Sequence, residues 1–288
     1  MSGGIVMTNK NTIIAKSAFL ALTFAIAAFA APAMAQVHEV ATPPAVKWSF
    51  AGPFGKYDEG QLQRGFKIYK EVCSSCHALS LLSIGSLADA GGPGFSEAQV
   101  AALAAEYKIK DLDDKGETIE RAGRPADHFP SPFANDAAAA AANGGVAPPD
   151  MSTLAKARGY MRGFPLFVLD IVTQYQEAGP DYIHAILNGY KDAPPHGFTM
   201  PAGGNYNEYF PGHVIAMPKP LSDGQVTFDD GSPATLAQYS KDVTAFLMWA
   251  AEPKLVQRKR TGFQVMLFLI VLSGLMYFTK KKVWSAVH

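Results

Sequence analysis

Residues Cys73-Ser74-Ser75-Cys76-His77 read C-x-x-C-H. Two thiols at this spacing can add to the two vinyl groups of one porphyrin, and the adjoining imidazole can reach its iron. This is the attachment signature of a c-type haem. Cys73 and Cys76 are the only cysteines in the chain, so one covalent haem c accounts for all of its thiol chemistry. A zinc site would need two further ligands at finger-like spacing, and a thioredoxin-like pair would need a βαβ setting. The sequence offers neither. His77 then supplies one axial position on the iron, and a haem used for electron transfer commonly takes a second. A thioether there raises the potential, because soft sulfur favours ferrous iron. Met151, Met161, Met200, Met217 and Met248 are the candidates in the exported region. Met248 falls mid-helix, where a core role fits better. Met200 (Phe-Thr-Met-Pro) and Met217 (Ile-Ala-Met-Pro-Lys-Pro) both precede proline in loops, and pattern alone does not separate them. His184, His196 and His213 could also serve, but read as surface or hydrogen-bonding residues.

The elements that must position these groups are helical, and the fold class expected is mainly α. Asp58 caps a helix, with Gln61 three residues on in capping-box spacing. Leu62, Phe66 and Tyr69 form its apolar stripe, and it runs straight into Cys73. Ala137 to Ala142 reads as a short helix capped by Asp136 and ended by Asn143-Gly144. Pro148-Pro149-Asp150 stiffens the chain after it. Residues 179–189 read as a helix, and 192–219, rich in Pro, Gly and aromatics, as a long loop folded over the haem. Ser232-Pro233 signals the start of the last exported helix. Tyr239, Val243, Phe246, Leu247 and Ala250 are its buried stripe, and it stops near Glu252-Pro253.

The ends of the chain bound its location. Lys10 and Lys16 precede an apolar run, and Ala33-Met34-Ala35 is an A-x-A cleavage site, so residues 1–35 read as a cleaved signal peptide. Residues 36–257 are the exported haem domain. Gly262 to Phe278 is apolar and, at ~1.5 Å per residue, roughly 25 Å long, at the short end of what spans a bilayer. With Arg258-Lys259-Arg260 before it and Lys280-Lys281-Lys282 after it, residues 258–282 form a transmembrane anchor with basic flanks, and 283–288 a cytoplasmic tail. The expected location is a bacterial inner membrane, with the haem domain on the periplasmic side. Lys plus Arg equals Asp plus Glu at 25 each, so no global field suggests nucleic acid. The acidic run Asp111, Asp113, Asp114, Glu117 and Glu120, and the pair Asp229-Asp230, are candidate docking patches for a basic partner.

Several stretches resemble the cytochrome c1 family: Leu62 to His77, Tyr209 to Met217, Phe228 to Val243, and Phe246 to Pro253 followed by the basic cluster and the anchor. The resemblance implies a cytochrome c-like haem domain with long loops plus one C-terminal transmembrane helix. It implies an electron-transfer subunit of the quinol–cytochrome c oxidoreductase (cytochrome bc1) complex. That subunit would pass single electrons from the Rieske iron–sulfur protein to a cytochrome c, beside cytochrome b, in a dimeric complex in membrane lipid. The resemblance selects Met217 over Met200 as the second axial ligand. It places Arg158 against a haem propionate with Tyr182 beside it, and Asn143, Pro148 and Phe210 in the haem pocket. Two rivals share parts of the pattern. One is another membrane-anchored c-type cytochrome serving a terminal oxidase or reaction centre, and the other is a haem-based gas sensor.

Overall fold

The computed structural model describes residues 40–285. The expected signal peptide and the last three residues of the tail lie outside them. Eight α-helices and two small antiparallel hairpins make up the described chain. α1 (Glu59–Glu71) begins where Asp58 Oδ1 accepts the Gln61 N–H at 2.7 Å. Leu62, Phe66 and Tyr69 turn inward from it as the spacing predicts. The chain then passes through α2 (Glu97–Ala105), β1 (Lys108–Leu112), β2 (Thr118–Ala122), α3 (Asp136–Ala142), α4 (Leu154–Ala157), α5 (Leu166–Thr173) and α6 (Ala178–Asn188). β3 (Asn205–Tyr206) and β4 (Val214–Ile215) pair within the long loop, and α7 (Leu236–Ala251) and α8 (Leu255–Trp284) close the chain.

Two helix starts differ from expectation by a few residues, for a local reason. α3 is capped by Asn135, whose Oδ1 accepts the Ala138 N–H at 2.9 Å, and Asp136 is its first residue. α7 is capped by Thr235, whose Oγ1 accepts from Gln238 N. Ser232 is engaged instead: its N–H and hydroxyl both donate to Asp230 at 2.9 Å, which forms a turn ahead of the helix.

The core centres on α1 packed against α7. Phe66, Tyr69 and Phe246 form an aromatic cluster with Phe129 and Trp249. Asp242 is fully buried on α7 and accepts from Gln61 Nε2 (3.1 Å), Arg64 Nε (2.7 Å) and Gln238 Nε2 (2.8 Å). A buried carboxylate is tolerated when donors satisfy it this fully, and here they come from both helices. The helices can approach this closely because residue 65 is glycine. A Cβ there would lie 2.2 Å from the Asp242 carbonyl oxygen and 2.6 Å from Phe246 Cβ.

α8 is 30 residues long and contains an 18-residue stretch with a mean hydropathy of 1.8, and among the described residues it is the one helix long and apolar enough to cross a membrane. Its first turns are bound to the domain. Leu255 is buried, Lys259 Nζ donates to the Phe50 carbonyl at 2.6 Å and to that of Gly52, and Glu252 pairs with Arg258 and with Lys156 (2.6 Å). Overpacking a tight core contact costs about 1–3 kcal/mol, so Gly65→Ala is expected to lower stability by at least that much. Thermal unfolding of the purified protein measures it, and an unchanged midpoint would show that the helices do not meet at residue 65.

Candidate haem site

α1 ends at Glu71 and tightens into the 3₁₀ turn Cys73–Ser75. The amides of Cys76 and His77 both donate to the Cys73 carbonyl, at 3.1 and 2.9 Å. Ser74 Oγ donates to the Lys70 carbonyl at 2.7 Å and Ser75 Oγ to that of Val72 at 3.0 Å, so the residues between the cysteines hold the turn. Both thiols are half-buried and free. Burial pushes the Cys73 thiol up to about 12, and the neighbouring Cys76 pushes the same way.

His77 is buried, and its Nδ1 lies 2.8 Å from the Pro149 carbonyl oxygen. A carbonyl only accepts, so Nδ1 carries the proton and Nε2 keeps its lone pair for a metal. Burial lowers the imidazole pKa, with Pro149 and Asp150 acting in the opposite direction. The Pro149 carbonyl is itself held in place. The Asp150 carboxylate accepts from Ser80 N (3.0 Å) and Ser152 N (2.7 Å), and Met151 N donates to the Ala78 carbonyl at 2.8 Å. The segment after His77 and the segment after Pro149 are laced together.

Met217 lies just beyond β4, half-buried, and the Tyr190 hydroxyl donates to its carbonyl at 3.0 Å. Burial raises the Tyr190 pKa, which keeps this donor protonated. Asn207, fully buried, ties the same loop to α6: its Nδ2 donates to Ile186 O at 2.8 Å, and its Oδ1 accepts from Tyr209 N at 3.1 Å. Of the other candidate ligands Met161 and His196 are exposed, and several of the rest are packed into the domain. Met248 is core and Met151 is buried. Met200 is half-buried with its terminal methyl against Gly204, where a Cβ would stand 3.5 Å away. His213 is buried, stacked on Tyr206 with ring centroids 5.5 Å apart.

Arg158 and Tyr182 line one open cleft of about 410 Å³, together with Thr42, Tyr160, Tyr209 and Pro211. Phe210, half-buried, lies between the lining residues Tyr209 and Pro211 in sequence but does not itself line the cleft. Gly179 lets α6 approach α4 closely enough to build this cleft, since a Cβ there would lie 1.8 Å from the Ala155 carbonyl oxygen. Among the described residues the exposed Arg158 guanidinium has no carboxylate within ion-pair distance. An arginine and a tyrosine hydroxyl on one cleft suit a carboxylate ligand. Asn143 is spent locally, its Nδ2 donating to the Ala139 carbonyl at 2.8 Å to end α3. Pro148 is half-buried beside Pro149, whose carbonyl accepts from His77.

The residues present fit a c-type haem. Two free thiols stand on one turn beside an imidazole with its Nε2 lone pair available, a thioether lies on a tethered loop, and a cation with no carboxylate partner faces a cleft. Pro149, Asp150, Tyr190, Asn207 and Gly179 are positioning residues that the sequence did not single out for these roles. Pro149-Asp150 was legible as a rigid turn. Tyr190 carried no signal beyond its place after a helix end.

The acidic run forms the β1–β2 hairpin, where Asp111 and Asp113 are engaged and Asp114, Glu117 and Glu120 are exposed. Asp111 and Asp127 both bind Arg121 at 2.6 Å, Asp113 accepts the Lys115 and Glu117 amides, and Lys110 stands opposite Glu120. Asp230 is bound by Arg64 at 2.7 Å and lowered to about 2, first by the Ser232 N–H and then by that guanidinium. Asp229 is fully exposed.

A typical hydrogen bond contributes about 1 kcal/mol net. Tyr190→Phe should therefore loosen the 214–217 segment by about that amount, read as faster amide hydrogen exchange there than in the parent. Unchanged protection would show that the Tyr190 hydroxyl does not hold this loop.

Comparison with known proteins agrees with this geometry. Residues 48–287 match the model of the Cytochrome C1 family. The chain is 66% identical to a cytochrome b/c1 of Bradyrhizobium diazoefficiens over 85% of this chain and 36% of that protein, so it spans about a third of that longer relative. It is 50% identical to cytochrome c1 of Blastochloris viridis over 98% of both chains, and 39% identical to the mitochondrial cytochrome c1 haem protein of Saccharomyces cerevisiae over 85% and 72%. With its C-x-x-C-H turn, its tethered histidine and a match over most of its length, this chain belongs to the cytochrome c1 family.

Proposed function

We propose that this chain is the haem-bearing electron-transfer subunit of a cytochrome bc1 complex, working beside cytochrome b and the Rieske iron–sulfur protein. The observation that carries the reading is the His77 imidazole, fixed by Pro149 with its Nε2 lone pair free, on a turn that presents two thiols. Cys73 and Cys76 would hold one covalent haem c, and His77 and Met217 would ligate its iron. When bound, that group supplies a reversible one-electron couple between the Rieske protein and a cytochrome c acceptor. The chain itself makes and breaks no substrate bond. Arg158 and Tyr182, which line the cleft beside α4 and α6, would receive the haem propionates, since Arg158 has no carboxylate partner among the described residues. Asn143, Pro148 and Phe210 complete the pocket wall.

Residues 1–35 are a cleaved signal, 36–257 the exported domain, 258–282 the anchor and 283–288 the cytoplasmic tail. The haem domain then lies on the periplasmic side of a bacterial inner membrane, within a dimeric complex. α8 supports the anchor, since it carries a long apolar run between two basic clusters and its first turns are bound to the domain. Two acidic surfaces are candidates for docking the acceptor: the exposed Asp114, Glu117 and Glu120 of the β1–β2 hairpin, and Asp229, which is fully exposed though 3.9 Å from Lys67. Such docking is steered by charge and weakens with salt.

Met217→Leu should leave the haem attached but remove the thioether, lowering the midpoint potential sharply and impairing onward transfer. Redox titration of the purified complex checks this, and an unchanged potential would move the ligand to another residue. Arg158→Gln should also lower the potential, more weakly, because it removes a cation beside the carboxylates. A potential equal to the parent's would place the propionates elsewhere.

A further inference from the structure

The segment between α4 and α6 inverts the usual order of polar and apolar groups. α5 reads Leu-Phe-Val-Leu-Asp-Ile-Val-Thr, a sequence apolar around nearly its whole circumference, which marks a helix that needs apolar surroundings. Yet Phe164 is 82% exposed, Ile171 70%, Phe167 55% and Leu169 51%, with Met161 ahead of them at 96%. This is a contiguous apolar patch of the kind that marks an interaction site.

The polar groups of the same segment are satisfied internally. Asp170, the only charge on α5, is paired with Arg162 at 2.6 Å, and Arg162 lies over the Tyr175 ring, 4.1 Å from its centroid. The Tyr175 hydroxyl meets that of Tyr160 at 3.0 Å and donates to buried Asp181 at 2.6 Å. A neutralised carboxylate, an arginine and two tyrosines beside exposed Phe, Leu and Ile match the order of groups across a membrane interface.

The position of α5 selects the occupant. Gln176, three residues past the end of α5, accepts from Arg258 Nη2 at 3.1 Å. Arg258 is in the first turn of α8, and the apolar run begins at Gly262, about 6 Å further along at the helical rise. Close to the same level, exposed Phe54 packs edge-on against Phe263 of α8, with ring centroids 5.6 Å apart. The Gln176–Arg258 bond thus ties the end of this segment to α8 just before its apolar run, at the level where a headgroup layer several ångströms thick would lie.

We propose that α5 with Met161 and Phe164 is an interfacial membrane foot: it inserts its apolar side chains among the lipids beside the anchor and sets the height and tilt of the haem domain over the bilayer. The proposal rests on reading α8 as the transmembrane anchor. The patch could otherwise be covered by another subunit, and the test separates the two.

The test is photo-crosslinking of the assembled complex in its native membrane. One variant carries Phe167→p-benzoylphenylalanine, and a reference variant carries the same probe at Phe263. The probe is aromatic and close in shape to phenylalanine, and haem content checks that each variant folds. After illumination, mass spectrometry of the chain is expected to show lipid adducts at both positions. Lipid adducts at residue 263 together with adducts to another subunit, or none, at residue 167 would overturn the foot while leaving the anchor intact. Absence of lipid adducts at residue 263 would overturn the anchor and the foot with it.

Discussion

The Pro149 carbonyl fixes the His77 imidazole, and the other haem-binding features are arranged around that one hydrogen bond. It decides which ring nitrogen carries the proton, and so which one can face a metal. The bond is only as rigid as its two ends. One end is the C-terminus of α1, locked to α7 by the Gly65 contact and by the donors around Asp242. The other is a proline turn tied back through Asp150 to Ser80 and Ser152. The thiols, the imidazole and its acceptor thus stand on a frame that spans most of the core.

Two buried carboxylates carry much of the long-range order. Asp242 joins α1 to α7. Asp181 joins α6 to the extended entry segment, accepting from Val46 N (3.0 Å) and Trp48 Nε1 (2.8 Å) as well as from Tyr175. Each is fully buried and meets donors from distant parts of the chain, so removing either would leave several buried donors without an acceptor, a larger penalty than one lost bond. Asp181 precedes Tyr182 in the chain, which couples the order of the entry segment to the cleft where Arg158 sits.

The parts of this chain that were legible in the sequence are those in which local chemistry decides. The C-x-x-C-H turn, the Asp58 cap, the apolar stripe of α1 and the long apolar run of α8 each depend on residues within one or two turns of one another. The α7 start was misplaced because Ser232-Pro233 is a good helix signal in isolation, while Asp230 captures the serine in a turn that the sequence does not reveal. Tyr190, Asn207 and Gly179 escaped notice for a related reason: each acts on a partner in a different element, and one chain without aligned relatives shows no such pairing. The choice of Met217 came from the family resemblance. In the structure the Met217 loop is tied to both Tyr190 and α6.

The most direct test is the mass of the proteolytic peptide containing Cys73 to His77, taken from protein made in a host competent for haem attachment. The account predicts a peptide carrying one porphyrin with both thiols consumed. A peptide of unmodified mass, or one bearing a Cys73–Cys76 disulfide, would contradict it.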